Sequence, residues 1–326
     1  MSKEKILIIG ANGQIGTALT AALQEKYGMS NVVASDIQTP HRSVIGIFEK
    51  LDVLDMQRLR AIVVKYEITQ IYHLAAILSA KGEQNPRQTW DINMNGLWNV
   101  LEVAREELLT RVYYPSTIAV FGSQTPADNT PQFTIMHPKT IYGITKQTGE
   151  QLCDYYARRF NIDVRSLRYP GIVSYETLPG GGTTDYAVDI FFKAAAGENY
   201  ECFLRADTAL PMLYMPDAIR ATLELMDAPK DKISVRYGYN LQGMSFTPAQ
   251  LAAEIQKHLP DFKVTYKPDH RQEIADSWVN SMDDSQAQAD WGWKSEFDIA
   301  AMTTDMLKNI KSPSKSAIGY NEMKYL

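Results

Sequence analysis

Lys5-Ile6-Leu7-Ile8-Ile9-Gly10-Ala11-Asn12-Gly13-Gln14-Ile15-Gly16 is the stretch that decides the fold. The short apolar run over 5–9 ends at Gly10 and reads as a buried parallel strand. Ile15, Leu19 and Leu23 then share one stripe, which predicts a helix over 14–27. Between them lies a G-x-x-G-x-x-G loop. Its first glycine permits the tight turn, its second lets backbone N–H groups approach a pyrophosphate, and its third allows close helix–strand packing. The helix N-terminus adds partial positive charge. Such a loop is weak alone and informative between a strand and a helix. Gly10, Asn12, Gly13, Gln14, Ile15 and Gly16 are therefore candidate dinucleotide contacts.

Outward from this loop the pattern repeats. A second strand, 31–36, ends in Asp36, and a third over 44–48 is followed by Asp52. Residues 55–66 read as helix, 71–76 as a fourth strand and 88–107 as a long helix. A fifth strand fits 111–117, a second long helix 142–160 and a sixth strand 163–168. This alternation predicts an α/β fold, a Rossmann-type doubly wound parallel sheet over residues 1–170. Pro170, Pro179 and Gly180-Gly181-Gly182 then mark a boundary. Residues 171–326 are expected to form mostly a smaller C-terminal substrate lobe, with some segments returning to the sheet. Residues 312–326 lack periodicity and read as a surface tail or an interface arm.

Asp36 stands 20 residues after Gly16 at a strand end. An acid there accepts hydrogen bonds from both adenosine ribose hydroxyls and repels a 2′-phosphate. Arg42 is the nearest arginine, so the sequence favours NAD over NADP. Ile37 joins Asp36 as a candidate contact. Asp52 and Val53 fall near the adenine in such a fold, although Asp52 also suits a helix cap, a role for which Asp55 competes. His73, inside an apolar strand, reads as a packed core histidine.

Tyr142 and Lys146 stand at i and i+4 near a helix start, on one face and one turn apart. A free tyrosine has a pKa of about 10 and is a poor base at neutral pH. A nearby ammonium and a positive nicotinamide ring both favour its phenolate. Tyr142 can then take a proton from a substrate hydroxyl as hydride leaves for NAD, while Lys146 holds ribose hydroxyls. Thr117, at the C-terminal end of the fifth strand, is placed to orient the reacting oxygen, with Ser116 as its adjacent competitor.

Bulk properties exclude other classes. Lys and Arg total 33 against 38 Asp and Glu, a net charge of -5 without basic runs, which argues against nucleic acid. Two cysteines, Cys153 and Cys202, make no disulfide framework, and Cys153 reads as a buried thiol. The N-terminus enters a strand directly rather than resembling a signal peptide, and no apolar run approaches the roughly 20 residues of a membrane span. A cytoplasmic protein is expected.

Gly10/Gly13/Gly16, Asp36, the Leu74-Ala75-Ala76 strand end, Asn95, Ser116/Thr117, Tyr142/Lys146 and Tyr169-Pro170-Gly171 together resemble the extended short-chain dehydrogenase/reductase family over residues 5 to about 172. That resemblance implies Thr117, Tyr142 and Lys146 as the catalytic set. It adds Leu74, Ala75, Ala76, Asn95, Tyr169, Gly171 and Ile172 as cofactor contacts. It also implies a homodimer through the helices over 88–107 and 142–160. The chain departs from sugar-nucleotide dehydratases, which carry an Asp-Glu pair where Ile118-Ala119 follow Thr117. It departs from epimerases as well, because Leu210 to Asp217 lacks their pyrophosphate-binding arginine.

The segments Tyr169–Ser174, Pro179–Ala187 and Leu213–Ala218 are instead similar to the epimerase-like L-threonine 3-dehydrogenases. This implies NAD-linked oxidation of the L-threonine β-hydroxyl to 2-amino-3-oxobutanoate. Gly180–Gly182 would then hinge a closing loop. Thr183 is the first candidate substrate contact and Thr184 the second, and Asp185 would meet the ammonium or cap a helix. Ser79 would meet the carboxylate. The rival readings are another small β-hydroxy acid dehydrogenase, a sugar-nucleotide epimerase and a non-catalytic NAD sensor.

Overall fold

A computed structural model describes residues 4–40, 46–176 and 182–310. The first half runs β1 (Ile6–Ile9), α1 (Gln14–Tyr27), β2 (Val32–Asp36), β3 (Ile47–Lys50), α2 (Met56–Lys65), β4 (Gln70–His73), α3 (Ser79–Gln84), α4 (Pro86–Trp90), α5 (Gly96–Glu106), β5 (Arg111–Tyr113), β6 (Ser116–Thr117), α6 (Ile141–Phe160), β7 (Val164–Arg165), β8 (Leu167–Tyr169) and β9 (Gly171–Val173). The second runs α7 (Tyr186–Ala195), β10 (Tyr200–Cys202), β11 (Leu210–Tyr214), α8 (Met215–Asp227), β12 (Tyr239–Asn240), β13 (Met244–Phe246), α9 (Pro248–Gln256), β14 (Val264–Tyr266), α10 (Arg271–Asp276), α11 (Ser285–Trp291) and α12 (Ile299–Asn309).

Six strands form one sheet in the order β3-β2-β1-β4-β5-β7, and every pairing in it is parallel. The order reverses direction at β1, which opens a crevice beyond the C-terminal ends of β1 and β4. β1 is fully buried, as a strand covered by helices on both faces must be.

Several elements differ from their predicted extents for local reasons. The fifth strand breaks after Tyr113, because Pro115 has no N–H to donate. The sixth breaks between β7 and β8. Beyond these breaks β6, β8 and β12 make a second parallel ladder, with Ser116 opposite Arg168 and Arg168 opposite Asn240. The fourth strand stops at His73, so residues 74–78 form a loop over the crevice. The helix over 88–107 is interrupted by a wide turn over Asp91–Asn95. The predicted strand over 44–48 lies at 47–50, and residues 44 and 45 are outside the described residues. So are Pro179, Gly180 and Gly181 and the segment 312–326.

β9 pairs with β11 in parallel and β11 with β13 antiparallel, with Tyr186, Phe191, Met212, Phe246 and Met302 in the core beside them. From the same half of the chain α8 and Trp293 pack into the core that holds β1 and α1. Among the described residues no helix is long and apolar enough to cross a membrane.

Candidate active site

The three glycines do three different things. Gly10 has φ +92°, and a Cβ there would sit 2.7 Å from the Ala75 nitrogen. At Gly16 a Cβ would collide with the Gly10 carbonyl oxygen and the Ala11 backbone, so this glycine sets how closely α1 approaches β1. Gly13 has only the Gly10 oxygen within 4 Å of such an atom, at 3.4 Å, and faces open space. It is also the N-cap of α1 and supplies no side-chain cap, which leaves the first-turn N–H groups for a ligand.

On one side of this loop lies a cavity of about 780 Å³ lined by Gly10, Gly13, Asp36, Ile37, Asp52, Val53, Leu74, Ala75 and Ala76. Asp36 accepts from the Asn12 N–H at 3.0 Å and the Gln38 N–H at 3.2 Å, which holds its carboxylate at the cavity mouth. The Asn12 amide donates to the Gln38 carbonyl at 2.8 Å, so Asn12 braces the loop and lines neither cavity. Asp55 caps α2 by accepting from the Arg58 N–H, and this leaves Asp52 on the cavity wall. Ile37 is apolar yet 55% exposed there, a surface suited to a flat aromatic ring. The Gln14 Nε2 is buried with no hydrogen-bond partner among the described residues. These features fit a dinucleotide.

On the other side a cavity of about 250 Å³ collects Gln14, Ile15, Gly16, Ser79, Ser116, Thr117, Tyr142, Lys146, Tyr169, Gly171, Ile172, Thr183, Thr184 and Asp185. α6 starts at Thr140, whose hydroxyl accepts from the Gly143 N–H, and it presents Tyr142 and Lys146 on one face. Thr117 is hydrogen-bonded to Tyr142, which pulls the phenol down, but desolvation is the larger effect and pushes it up to about 12. Burial brings Lys146 down to about 7, and Cys153 and Glu150 oppose the shift. The Lys146 ammonium donates to the Pro115 carbonyl at 2.7 Å and stands 4.4 Å from the Tyr114 ring centre.

Ser79 and Thr183, 104 residues apart in sequence, meet with their hydroxyl oxygens 3.4 Å apart. Thr184 packs beneath Gly171, where a Cβ would stand 2.8 Å from its own. Asp185 occupies the N-cap position of α7 without a capping bond, because its carboxylate turns back to the Gly182 N–H at 2.7 Å. His73 is buried in the core, and burial lowers it to about 3, so it stays neutral.

Three expectations shift. Asn95 is exposed on the wide turn and lines neither cavity. Asn93 is the buried amide: its oxygen accepts from the Ile77 N–H at 2.8 Å, and its nitrogen donates to the Ile77 carbonyl and to Thr145, each at 3.1 Å. Helical spacing carried the signal, since Thr89, Asn93, Leu97 and Leu101 are four apart and all buried. The Ser116 hydroxyl donates to Glu150 and so turns away from the cavity it borders. The Tyr169 hydroxyl bonds Tyr113 and Thr222 inside the core, leaving its ring and the following backbone at the site. Trp278 also lines the small cavity, and no local pattern in the sequence announces it. The strand that lacks an arginine, β11, is fully buried and presents no cation.

Residues 6–240 match the NAD dependent epimerase/dehydratase family. The chain is 47% identical over 318 residues to the mitochondrial L-threonine 3-dehydrogenase of Bos taurus, covering 97% of this chain and 85% of that one. It superposes on the holo form of a GalE-like L-threonine dehydrogenase from Cupriavidus necator with a TM-score of 0.93 and 56% identity, covering 94% of this chain and 100% of that one. A monomeric L-threonine 3-dehydrogenase from a metagenome, in its apo form, gives a TM-score of 0.91 at 50% identity, covering 94% and 98% of the two chains.

Proposed function

The chain belongs to the NAD dependent epimerase/dehydratase family, and from that premise we propose that it oxidises the β-hydroxyl of L-threonine to 2-amino-3-oxobutanoate with NAD. One observation carries the reading. Thr117, Tyr142 and Lys146 converge with the Ser79–Thr183 pair around one small cavity that opens onto the glycine loop. About 250 Å³ suits a small zwitterion better than a nucleotide sugar.

Gly10 to Gly16 would hold the pyrophosphate, Asp36 the adenosine ribose and Lys146 the second ribose. NAD, when bound, supplies the hydride acceptor. Thr117 orients the substrate hydroxyl toward Tyr142. Tyr142 takes its proton. Alone, Tyr142 is held too high to serve as a base near neutral pH. The Thr117 hydrogen bond and the positive ring favour its phenolate, so turnover should climb as pH rises. Lys146 has three N–H groups and gives one to Pro115, which leaves two for ribose hydroxyls. Thr183 and Ser79 would hold the substrate carboxylate, Thr184 would line its far side, and Asp185 would face its ammonium. In this reading residues 1–170 bind NAD and the later segments close the substrate site.

Exposed Trp98, Ile144, Tyr155 and Phe160 lie on α5 and α6 and support a homodimer through these helices. Sedimentation with a Trp98→Asp variant tests it, since loss of a dimer is expected and an unchanged mass refutes it. The two buried free thiols suit a reducing compartment and support placement in the cytoplasm.

NADH absorbance is the main assay. L-threonine should give a signal with NAD that strengthens toward alkaline pH, and L-serine, 3-hydroxybutyrate and UDP-galactose weaker ones or none. No threonine-dependent signal at any pH from neutral to alkaline sinks the proposal. Tyr142→Phe should lose nearly all turnover and still bind NAD.

A further inference from the structure

α6 faces the strand that carries Thr117 along three successive turns. Tyr142 meets Thr117, Lys146 meets the Pro115 carbonyl at 2.7 Å, and Glu150 meets the Ser116 hydroxyl. The first two contacts involve groups assigned above to the reaction. The third lies one turn deeper and touches neither substrate nor cofactor. Glu150 is bound side-on by Arg168, at 2.9 Å from Nε and 2.8 Å from Nη2, and both side chains are 1% exposed. The free end of Arg168 donates to the Gln132 carbonyl and to Asn240, each at 3.1 Å. Arg168 and Asn240 stand opposite each other on β8 and β12, and Ser116 stands opposite Arg168 on β6. Gly238 approaches closely, since a Cβ there would lie 2.9 Å from the Glu150 carboxylate.

Stability alone is a poor reason to keep such a pair. Burying two charges costs several kcal/mol per ion, and well-packed apolar replacements are often neutral or better. We propose that Ser116, Glu150 and Arg168 are positioning residues that lock the Thr117 strand to the helix of Tyr142 and Lys146 and set a carboxylate one turn from the Lys146 ammonium. This inference rests on the assignment of those three groups to proton transfer.

Few groups surround Lys146. Lys146 faces Tyr142, Glu150 and Cys153 on its own helix, Tyr114 from the end of β5 and His73 from β4. His73 is neutral, and burial holds the Cys153 thiol up and protonated. Glu150 is therefore the carboxylate in this set, and Arg168 pairs with it.

Two variants separate position from charge. Ser116→Ala removes the rung and keeps the ion pair. It should lower kcat about tenfold, as misplacing a reacting group does, with KM and NAD affinity within twofold and an unchanged pH profile. Glu150→Gln combined with Arg168→Met removes the carboxylate without stranding a guanidinium, and should move the limb of the kcat pH profile that reports Lys146 to lower pH. Thermal melts confirm that each variant is folded. A folded Ser116→Ala with wild-type kcat, or a double variant whose pH profile superimposes on the wild type, overturns the inference. The assay uses whichever β-hydroxy substrate the wild type turns over. Failure with L-threonine alone then strikes the substrate assignment, whereas an unmoved variant series strikes this one.

Discussion

Asn93→Ala isolates what holds the roof of the cofactor crevice. Asn93 bonds both backbone groups of Ile77 and reaches Thr145 on α6. Thr145 loses little, because its hydroxyl still donates to the Tyr142 carbonyl at 2.8 Å. The Ile77 N–H and C=O lose their partners, but Ile77 is only half-buried and water can return to part of them. At roughly 1 kcal/mol each the loss is about 2 kcal/mol, or a Tm fall of roughly 3 °C for a chain of this size.

The larger effect is local. Residues 74–77 line the large cavity, and Leu74, Ala76, Leu78 and Ser79 border the small one. If the full 2 kcal/mol is spent re-forming that loop on binding, NAD affinity falls by at most about thirtyfold, and about tenfold is expected. Asn93→Asp should be no better, because its second oxygen would face the Ile77 carbonyl where an N–H now donates. Asn95→Ala, at an exposed position, should change neither quantity. Calorimetric titration with NAD and a thermal melt read both. Wild-type NAD affinity in Asn93→Ala, or equal effects of the Asn93 and Asn95 variants, refutes the reasoning.

Asp36→Ala should weaken NAD binding about tenfold through lost charge-assisted bonds and narrow the preference over NADP; a cofactor titration showing an unchanged NAD/NADP ratio would contradict this. Thr183→Ala should raise the threonine KM several-fold with little change in NAD affinity, and steady-state kinetics that leave KM unchanged would remove Thr183 from the site. Lys146 titrates near 10.5 when unfolded and at about 7 when folded. Below pH 7 both states hold the proton and the full burial cost is present. Between about 7 and 10.5 the unfolded state holds a proton that the native state has released, so stability rises with pH. Lys146→Met should therefore abolish turnover yet melt higher than the wild type at pH 6.5, with the advantage fading toward pH 10; melts with a pH-independent difference would refute it.

The alternation of strands and helices, the glycine loop with Asp36, and the Tyr142/Lys146 spacing were all readable in the chain because each is a local pattern. A helix repeats every 3.6 residues and a strand every two, and a dinucleotide loop needs its three glycines in a single turn. The errors came where a contact crosses the fold. Ser116 and Thr117 are neighbours on one strand, and a pleat sends their side chains to opposite faces. Sequence order does not say which face holds Glu150. Asn93 and Asn95 are two residues apart on a helical turn, and only the packing of Ile77 distinguishes them.

The sequence by itself determined the class of fold, the dinucleotide loop and the pairing of Tyr142 with Lys146 on one helix face, since these depend on residues within one or two turns of each other. Tertiary structure alone decided which hydroxyls share a site. Ser79 meets Thr183 across 104 residues, and Trp278 reaches the same cavity from the far half of the chain. It also decided that Lys146 is dry enough to titrate near neutrality and that Ser116 serves a buried ion pair. Burial and through-space distance are properties of the packed chain, and nothing in a linear spacing encodes them.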